Sequence, residues 1–206
     1  MKIMRNYFTD SKIRTENENF NREYIKSRGL KFSEIRYSDY TSVSGDNHAC
    51  QVVWLKNIDR LMELLPKNYD LEDYKLVDIG CGVGISTLYC EEHYKLKTYA
   101  GFDFEEHIVS KAIDNCFTVS RSRPVEIDFF VQDAFNFKLH QSRTFLFLFN
   151  SFGKETLSEF LSNNIETLRK TNSIIGYVND IYIDIFDQLG CVIRRNDYFN
   201  ISLIEF

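Results

Sequence analysis

The stretch that most constrains this chain is Leu76-Val77-Asp78-Ile79-Gly80-Cys81-Gly82-Val83-Gly84-Ile85-Ser86-Thr87-Leu88. An apolar, β-branched run ends in three glycines at every second position, and helical spacing resumes at Ile85, Leu88 and Tyr89. That pattern reads as strand, tight turn and helix. Glycine adopts positive φ and lets another group lie against the backbone, so alternating glycines at a strand's carboxyl end suggest a ligand passing close. The helix that follows aims its free amides and positive dipole end at the same place. Asp78, two residues before the first glycine, adds an acceptor beside the turn. A plain glycine turn would use the same residues, and it is the strand-to-helix context that favours a ligand site.

Spacing separates two kinds of site. A dinucleotide fingerprint wants Gly-x-Gly-x-x-Gly, its third glycine allowing close helix–strand packing under a pyrophosphate. After Gly82 this chain has Val83-Gly84-Ile85, so that third glycine is missing. Asp78-x-Gly80-x-Gly82-x-Gly84 instead resembles motif I of the class I S-adenosylmethionine-dependent methyltransferases. In that family the acid and the glycines surround the amino-acid end of the cofactor, which here implies Asp78, Gly80, Cys81, Gly82 and Gly84.

The 206 residues make one full core possible, read as an arm over residues 1–46 followed by one domain over 47–206. Net charge is −5, unevenly placed: residues 1–38 carry nine Lys/Arg against five Asp/Glu, the remainder sixteen against twenty-five. An acidic body argues against a general nucleic-acid binder. Five cysteines (50, 81, 90, 116, 191) form no Cys-x-x-Cys pair and do not cluster with the four histidines, the pattern of reduced thiols in a cytosolic protein that holds no metal. With no apolar run approaching a bilayer span, the expectation is a soluble cytoplasmic protein without a membrane partner.

In chain order, a short helix is expected around residues 20–27, ended by Gly29, in an arm that is either an extension or a lid over the substrate side. A helix capped by Asp46 or Asn47 then runs to Leu65, with Pro66 closing it. His48, Cys50 and Gln51 fall in its first turn, near where the resemblance puts the methionine end of the cofactor. His48 is a candidate base because imidazole titrates near neutrality, although surface or capping histidines are commoner.

The strand Thr98–Asp103 ends in an acid twenty-one residues after Gly82, close to the roughly 20-residue offset at which a carboxylate meets a ribose in nucleoside-binding α/β folds. Asp103 could equally cap the helix that follows. The resemblance adds its neighbour Phe104 to the cofactor set. Beyond a strand over residues 125–131, Asp133-Ala134 resembles the family's adenine-contacting pair, while a simple turn would use the same residues.

Thr144-Phe145-Leu146-Phe147-Leu148-Phe149 shows no alternation, as a strand covered on both faces must. Asn150-Ser151-Phe152-Gly153 follows at its carboxyl end, where ligands bind in open α/β sheets. That is the family's motif IV, where enzymes acting on nitrogen carry Asn or Asp before Pro-Pro and an aromatic. Ser151 stands where the first proline would be and Gly153 where the aromatic would be, so the acceptor atom is not inferred. Asn150 is expected to orient the acceptor, and Phe152 or Tyr40 to shield the site from water.

A helix over residues 154–170, a strand over 173–178, a short helix over 181–189 and strands over 191–194 and 201–206 complete the pattern. The fold class is therefore α/β: a doubly wound, mostly parallel seven-stranded sheet with a C-terminal antiparallel hairpin and an N-terminal helical arm. The match to the class I family covers roughly residues 70–206. Phe147-Leu148-Phe149-Asn150-Ser151-Phe152-Gly153 also resembles a group of small bacterial members with Asn-x-Phe at motif IV. The resemblance implies methyl transfer from S-adenosyl-L-methionine, leaving S-adenosyl-L-homocysteine, to an oxygen or nitrogen of a small-molecule, carbohydrate or protein acceptor. The competing classes are a non-catalytic module that binds the same cofactor and a nicotinamide-dependent oxidoreductase. Oligomeric state is not legible.

Overall fold

Each apolar run offered by the sequence as a strand is one in the computed structural model, which describes residues 10–32, 51–121 and 124–206. The strands are β1 (Lys75–Ile79), β2 (Thr98–Asp103), β3 (Ile127–Val131), β4 (Thr144–Phe149), β5 (Ile174–Val178), β6 (Val192–Asn196) and β7 (Ile201–Glu205). They form one sheet in the order β3-β2-β1-β4-β5-β7-β6. β1 to β5 are parallel, β7 runs antiparallel to β5, and β6 pairs with β7 as the closing hairpin. The order in which strands are added reverses at β1, so the sheet grows away from it on both sides, and the crevice between β1 and β4 at that switch point is where open α/β sheets take ligands.

Helices α1 (Ser11–Ser27), α2 (Leu55–Met62), α3 (Ile85–His93) and α4 (Glu106–Thr118) cover one face, while α5 (Lys154–Thr171) and α6 (Asp184–Asp187) cover the other. β4 explains why its sequence does not alternate. Phe145 and Phe147 join Leu55, Ile58 and Leu88 in one apolar layer, and Leu146 and Leu148 join Leu157, Phe160 and Phe186 in the other. Burial on both faces favours the non-alternating run. No helix among the described residues is long and apolar enough to cross a membrane.

Two helix starts differ from expectation. α1 begins at Ser11, nine residues before Phe20, because Asp10 caps it: its carboxylate accepts from the amides of Lys12 at 3.1 Å and Ile13 at 3.2 Å. Its inward face carries Asn17, Asn21 and Tyr24, so apolar periodicity never marked it. The helix before Pro66 starts only at Leu55, and residues 51–54 have no regular structure. The side chain of Asn21 accounts for that start, donating to the Val53 carbonyl at 2.8 Å and accepting from the Leu55 amide at 3.0 Å. The proposed caps Asp46 and Asn47 lie outside the described residues. The helix expected over 181–189 shortens to α6.

Asn21 thus joins α1 to the segment that enters α2. Asn21→Ala strips partners from a buried carbonyl and a buried amide, and should cost about 2–3 kcal/mol. Urea unfolding reads this directly, and a loss below about 1 kcal/mol would show that the segment is held by other contacts.

Candidate functional site

The bend between β1 and α3 is the centre of the site. Gly80, Gly82 and Gly84 take φ of +70°, +55° and +79°, so the chain reverses through three left-handed residues within five. The Gly80 and Cys81 amides both donate to the Phe102 carbonyl at 2.9 Å, which pins the bend to the end of β2. Ser151 closes it from the other side: its hydroxyl donates to the Ile79 carbonyl at 2.5 Å, and a Cβ built on Gly80 would lie 2.5 Å from the Ser151 Cβ.

Asp78 lies beneath the bend, 2% exposed, accepting from the hydroxyls of Ser86 at 2.5 Å and Thr87 at 2.7 Å. Burial pushes its carboxyl up to about 6; the two hydroxyl donors work against that rise, and the charge of Asp103 adds to it. Asp103 is also buried. It accepts from the Gly82 amide at 3.1 Å and the Glu105 amide at 3.3 Å, and burial raises its carboxyl against the pull of those backbone donors. Two backbone donors leave a carboxylate with further acceptor capacity. The Asp103 side chain does not cap α4, whose N-cap residue is Glu105.

A cleft opens beside Asp78 and Gly80, lined by Gln51, Asp78, Gly80, Ser86, Phe147 and Phe149 among others; Gly82, Gly84, Asp103 and Phe104 are not part of that lining. Cys81 borders it too, yet its side chain is buried with Val109, Ala112 and Phe129. Only the Cys81 backbone is therefore available to a ligand. Phe104 is half-buried at the end of β2. Ala134 is buried and Asp133 exposed beyond β3, where the Asp133 carboxylate accepts from the Phe135 amide at 2.9 Å and starts a single 3-10 turn. Neither of these two lines the cleft.

Asn150, at the end of β4, takes φ of +46°, and Asn179, at the end of β5, takes +58°. The Asn179 side-chain Nδ2 donates to Asn150 Oδ1 at 2.5 Å, and Asn150 Nδ2 donates to Gln51 Oε1 at 3.3 Å. Asn179 and Ser151 were not anticipated. Position at the carboxyl end of a parallel strand, the argument that singled out Asn150, would have found Asn179 as well. Phe152 departs from its expected shielding role: it is buried with Leu157 and Phe160 in the layer beneath α5, because Ser151 turns toward β1 and carries the next side chain to the opposite face. His48 and Tyr40 lie outside the described residues. Among the described residues no group of His, Cys, Asp and Glu could hold a metal.

No protein-family model matches the sequence, and no curated protein is detectably similar to it. The fold has solved counterparts. A Methanococcus maripaludis protein assigned as an S-adenosyl-L-methionine-dependent methyltransferase superposes with TM-score 0.54 and 13% identity over 73% of this chain and 91% of its own. The magnesium protoporphyrin IX methyltransferase of Synechocystis PCC 6803, crystallised with bound S-adenosylhomocysteine, gives 0.52 and 15% over 91% and 98%. An S-adenosylmethionine-dependent methyltransferase of Mesorhizobium loti gives 0.51 and 11% over 71% and 95%. The chain has the class I, Rossmann-like methyltransferase fold, with the seven-stranded order and C-terminal hairpin of that class.

Proposed function

We propose that this protein transfers a methyl group from S-adenosyl-L-methionine to an oxygen or nitrogen of an acceptor. The observation that carries the reading is the bend at Gly80–Gly84 with the buried Asp78 carboxylate under it, at the switch point of a sheet whose solved counterparts include a methyltransferase with S-adenosylhomocysteine bound. The groups suit that compound: a buried carboxylate for the ammonium of an amino-acid tail and an acid at the end of β2 for ribose hydroxyls.

When bound, the cofactor supplies an electrophilic methyl: the acceptor's lone pair forms the new bond to carbon, the carbon–sulfur electron pair passes to the sulfonium, and the acceptor's proton leaves. The protein's own task is placement at near-attack distance, which needs no triad. Asp78, held by Ser86 and Thr87, binds the tail when ionised. Asp103 positions both the Gly82 amide and the sugar, so the bend and the ribose share one anchor. Asp133 and the Ala134 backbone, beyond β3 and outside the cleft lining, would meet adenine, and Phe104 would flank it. Asn150, held by Asn179 and Gln51, orients the acceptor, and His48 takes the proton when the acceptor is a hydroxyl. α1 contributes part of the substrate-side wall through Arg14 and Glu18.

Calorimetry with S-adenosylmethionine and S-adenosylhomocysteine tests the reading; no heat from either would overturn it. Asn150→Ala is expected to lower turnover about tenfold or more while changing cofactor affinity less than about threefold, because orientation of the acceptor is lost and the cofactor cradle is kept. Release of S-adenosylhomocysteine in an acceptor screen reads the first number, and calorimetry the second.

A further inference from the structure

A second, open cleft adjoins the first and shares Gln51, Val52 and Phe149 with it. Its other walls are Trp54, Asn57, Asn150 and the Arg14–Glu18 pair of α1. The composition of this space is selective. Among the described residues, Arg14 and Glu18 are the charged side chains of its lining, and they hydrogen-bond each other at 2.7 Å with both largely exposed. These two charges cancel locally, so a phosphate or carboxylate would meet no unneutralised cation among the described lining residues. Among the described residues the rest of the lining is two aromatic side chains, three side-chain amides and Val52. Aromatic walls favour ring ligands through stacked or edge contacts, and fixed amides supply hydrogen bonds without charge.

The position of the amides gives direction. Asn150 lies in the lining of this second cleft, at the end of the strand whose Phe149 is common to both, and Asn179 and Gln51 hold it there. A ring lying against Trp54 and Phe149 would bring a substituent to the Asn150 amide, at the edge of the first cleft. Trp54 is positioned by the fold and not by chance: it is the residue from which α2 starts, its carbonyl accepts from the Asn57 amide at 2.6 Å, and Asn21 grips the residues on either side of it.

We propose that the acceptor is an uncharged aromatic small molecule of the phenol or nitrogen-heteroaromatic class, held between Trp54 and Phe149 with its nucleophilic atom at Asn150. This rests on the methyltransferase reading, so the test keeps the two apart. Trp54 is the single tryptophan of the chain, so its fluorescence reports this cleft alone. With saturating S-adenosylhomocysteine present, 4-methylphenol and benzimidazole should quench it saturably, and benzoate, cyclohexanol and inorganic phosphate should bind about tenfold more weakly or not at all.

Fluorine NMR of 4-fluorophenol extends the measurement to variants that lack the indole. Trp54→Leu should weaken that probe about tenfold and Trp54→Phe by less than about threefold, both with S-adenosylhomocysteine heat within about twofold of the parent protein. Normal S-adenosylhomocysteine binding with no ring binding, or with benzoate or cyclohexanol bound as well as the phenol, overturns the acceptor class while leaving the cofactor reading intact. Ring binding without any S-adenosylhomocysteine heat overturns the cofactor reading, and with it the assignment of the ring as a methyl acceptor.

Discussion

Gly80→Ala is expected to destabilise the protein by about 3 kcal/mol and to weaken S-adenosylhomocysteine binding about 100-fold or more. Two separate costs combine. Alanine at φ +70° pays the left-handed penalty of about 1–2 kcal/mol. The new Cβ would also lie 2.5 Å from the Cβ of Ser151, 2.7 Å from its Oγ and 3.3 Å from its Cα. Ser151 cannot simply rotate away, since its hydroxyl is bonded to the Ile79 carbonyl and its own backbone is part of the contact. The bend would have to open, and the bend carries the site.

Gly190→Ala is the matched control. Gly190 has φ of +66°, and nothing lies within 4 Å of its Cβ position. It should therefore show only the backbone cost, about 1 kcal/mol, with cofactor binding unchanged. Urea unfolding and calorimetry on both variants separate the terms. Equal losses at the two positions would mean that Ser151 yields freely and does not brace the bend.

Asp78→Asn should do the reverse to stability while still harming binding. In the unliganded protein the Asp78 carboxyl lies at about 6 against an ordinary 3.8, chiefly through burial. The folded state therefore binds that proton more tightly than the unfolded chain. Stability from this group is greatest below about pH 4, falls as the pH climbs to about 6, and above that carries a penalty of about 3 kcal/mol. An amide has no such penalty and can still accept from Ser86 and Thr87, so the variant should gain about 2 kcal/mol near pH 7.5 and little at pH 4. Its S-adenosylhomocysteine affinity should fall about 30-fold or more, because a neutral amide does not hold an ammonium. In the parent protein that affinity should rise as the pH passes through 6, and in the variant it should not. A variant less stable than the parent at pH 7.5 would contradict the charge state assigned to Asp78.

These two residues were legible for one and the same reason. Gly80 and Asp78 stand in one unbroken segment, and the strand, the positive-φ turn and the helix are each local consequences of residues within reach of one another. β4 was legible because a run with no polar residue after Thr144 has to be covered on both faces. α1 was only half visible, since the face it buries carries Asn17 and Asn21 in place of aliphatic residues, and amide side chains do not register as an apolar stripe. The start of α2 was hidden for a related reason. Helical spacing of Val52 and Val53 said nothing of the Asn21 side chain that takes the Val53 carbonyl and the Leu55 amide from 32 and 34 residues away.

By itself, the sequence determined the order of strands and helices, the bend at Gly80–Gly84 and the acids at the ends of β1 and β2, because periodicity, turn chemistry and short offsets are properties of neighbouring residues. Only the tertiary structure decided that Ser151 braces Gly80, that Asn179 and Gln51 hold Asn150, and that Trp54 shares a cleft with α1. Those partners are brought together by the placing of β1 beside β4 and β4 beside β5 and by the packing of α1 against α2 and α3. No local pattern encodes which distant side chains will meet across such a crevice.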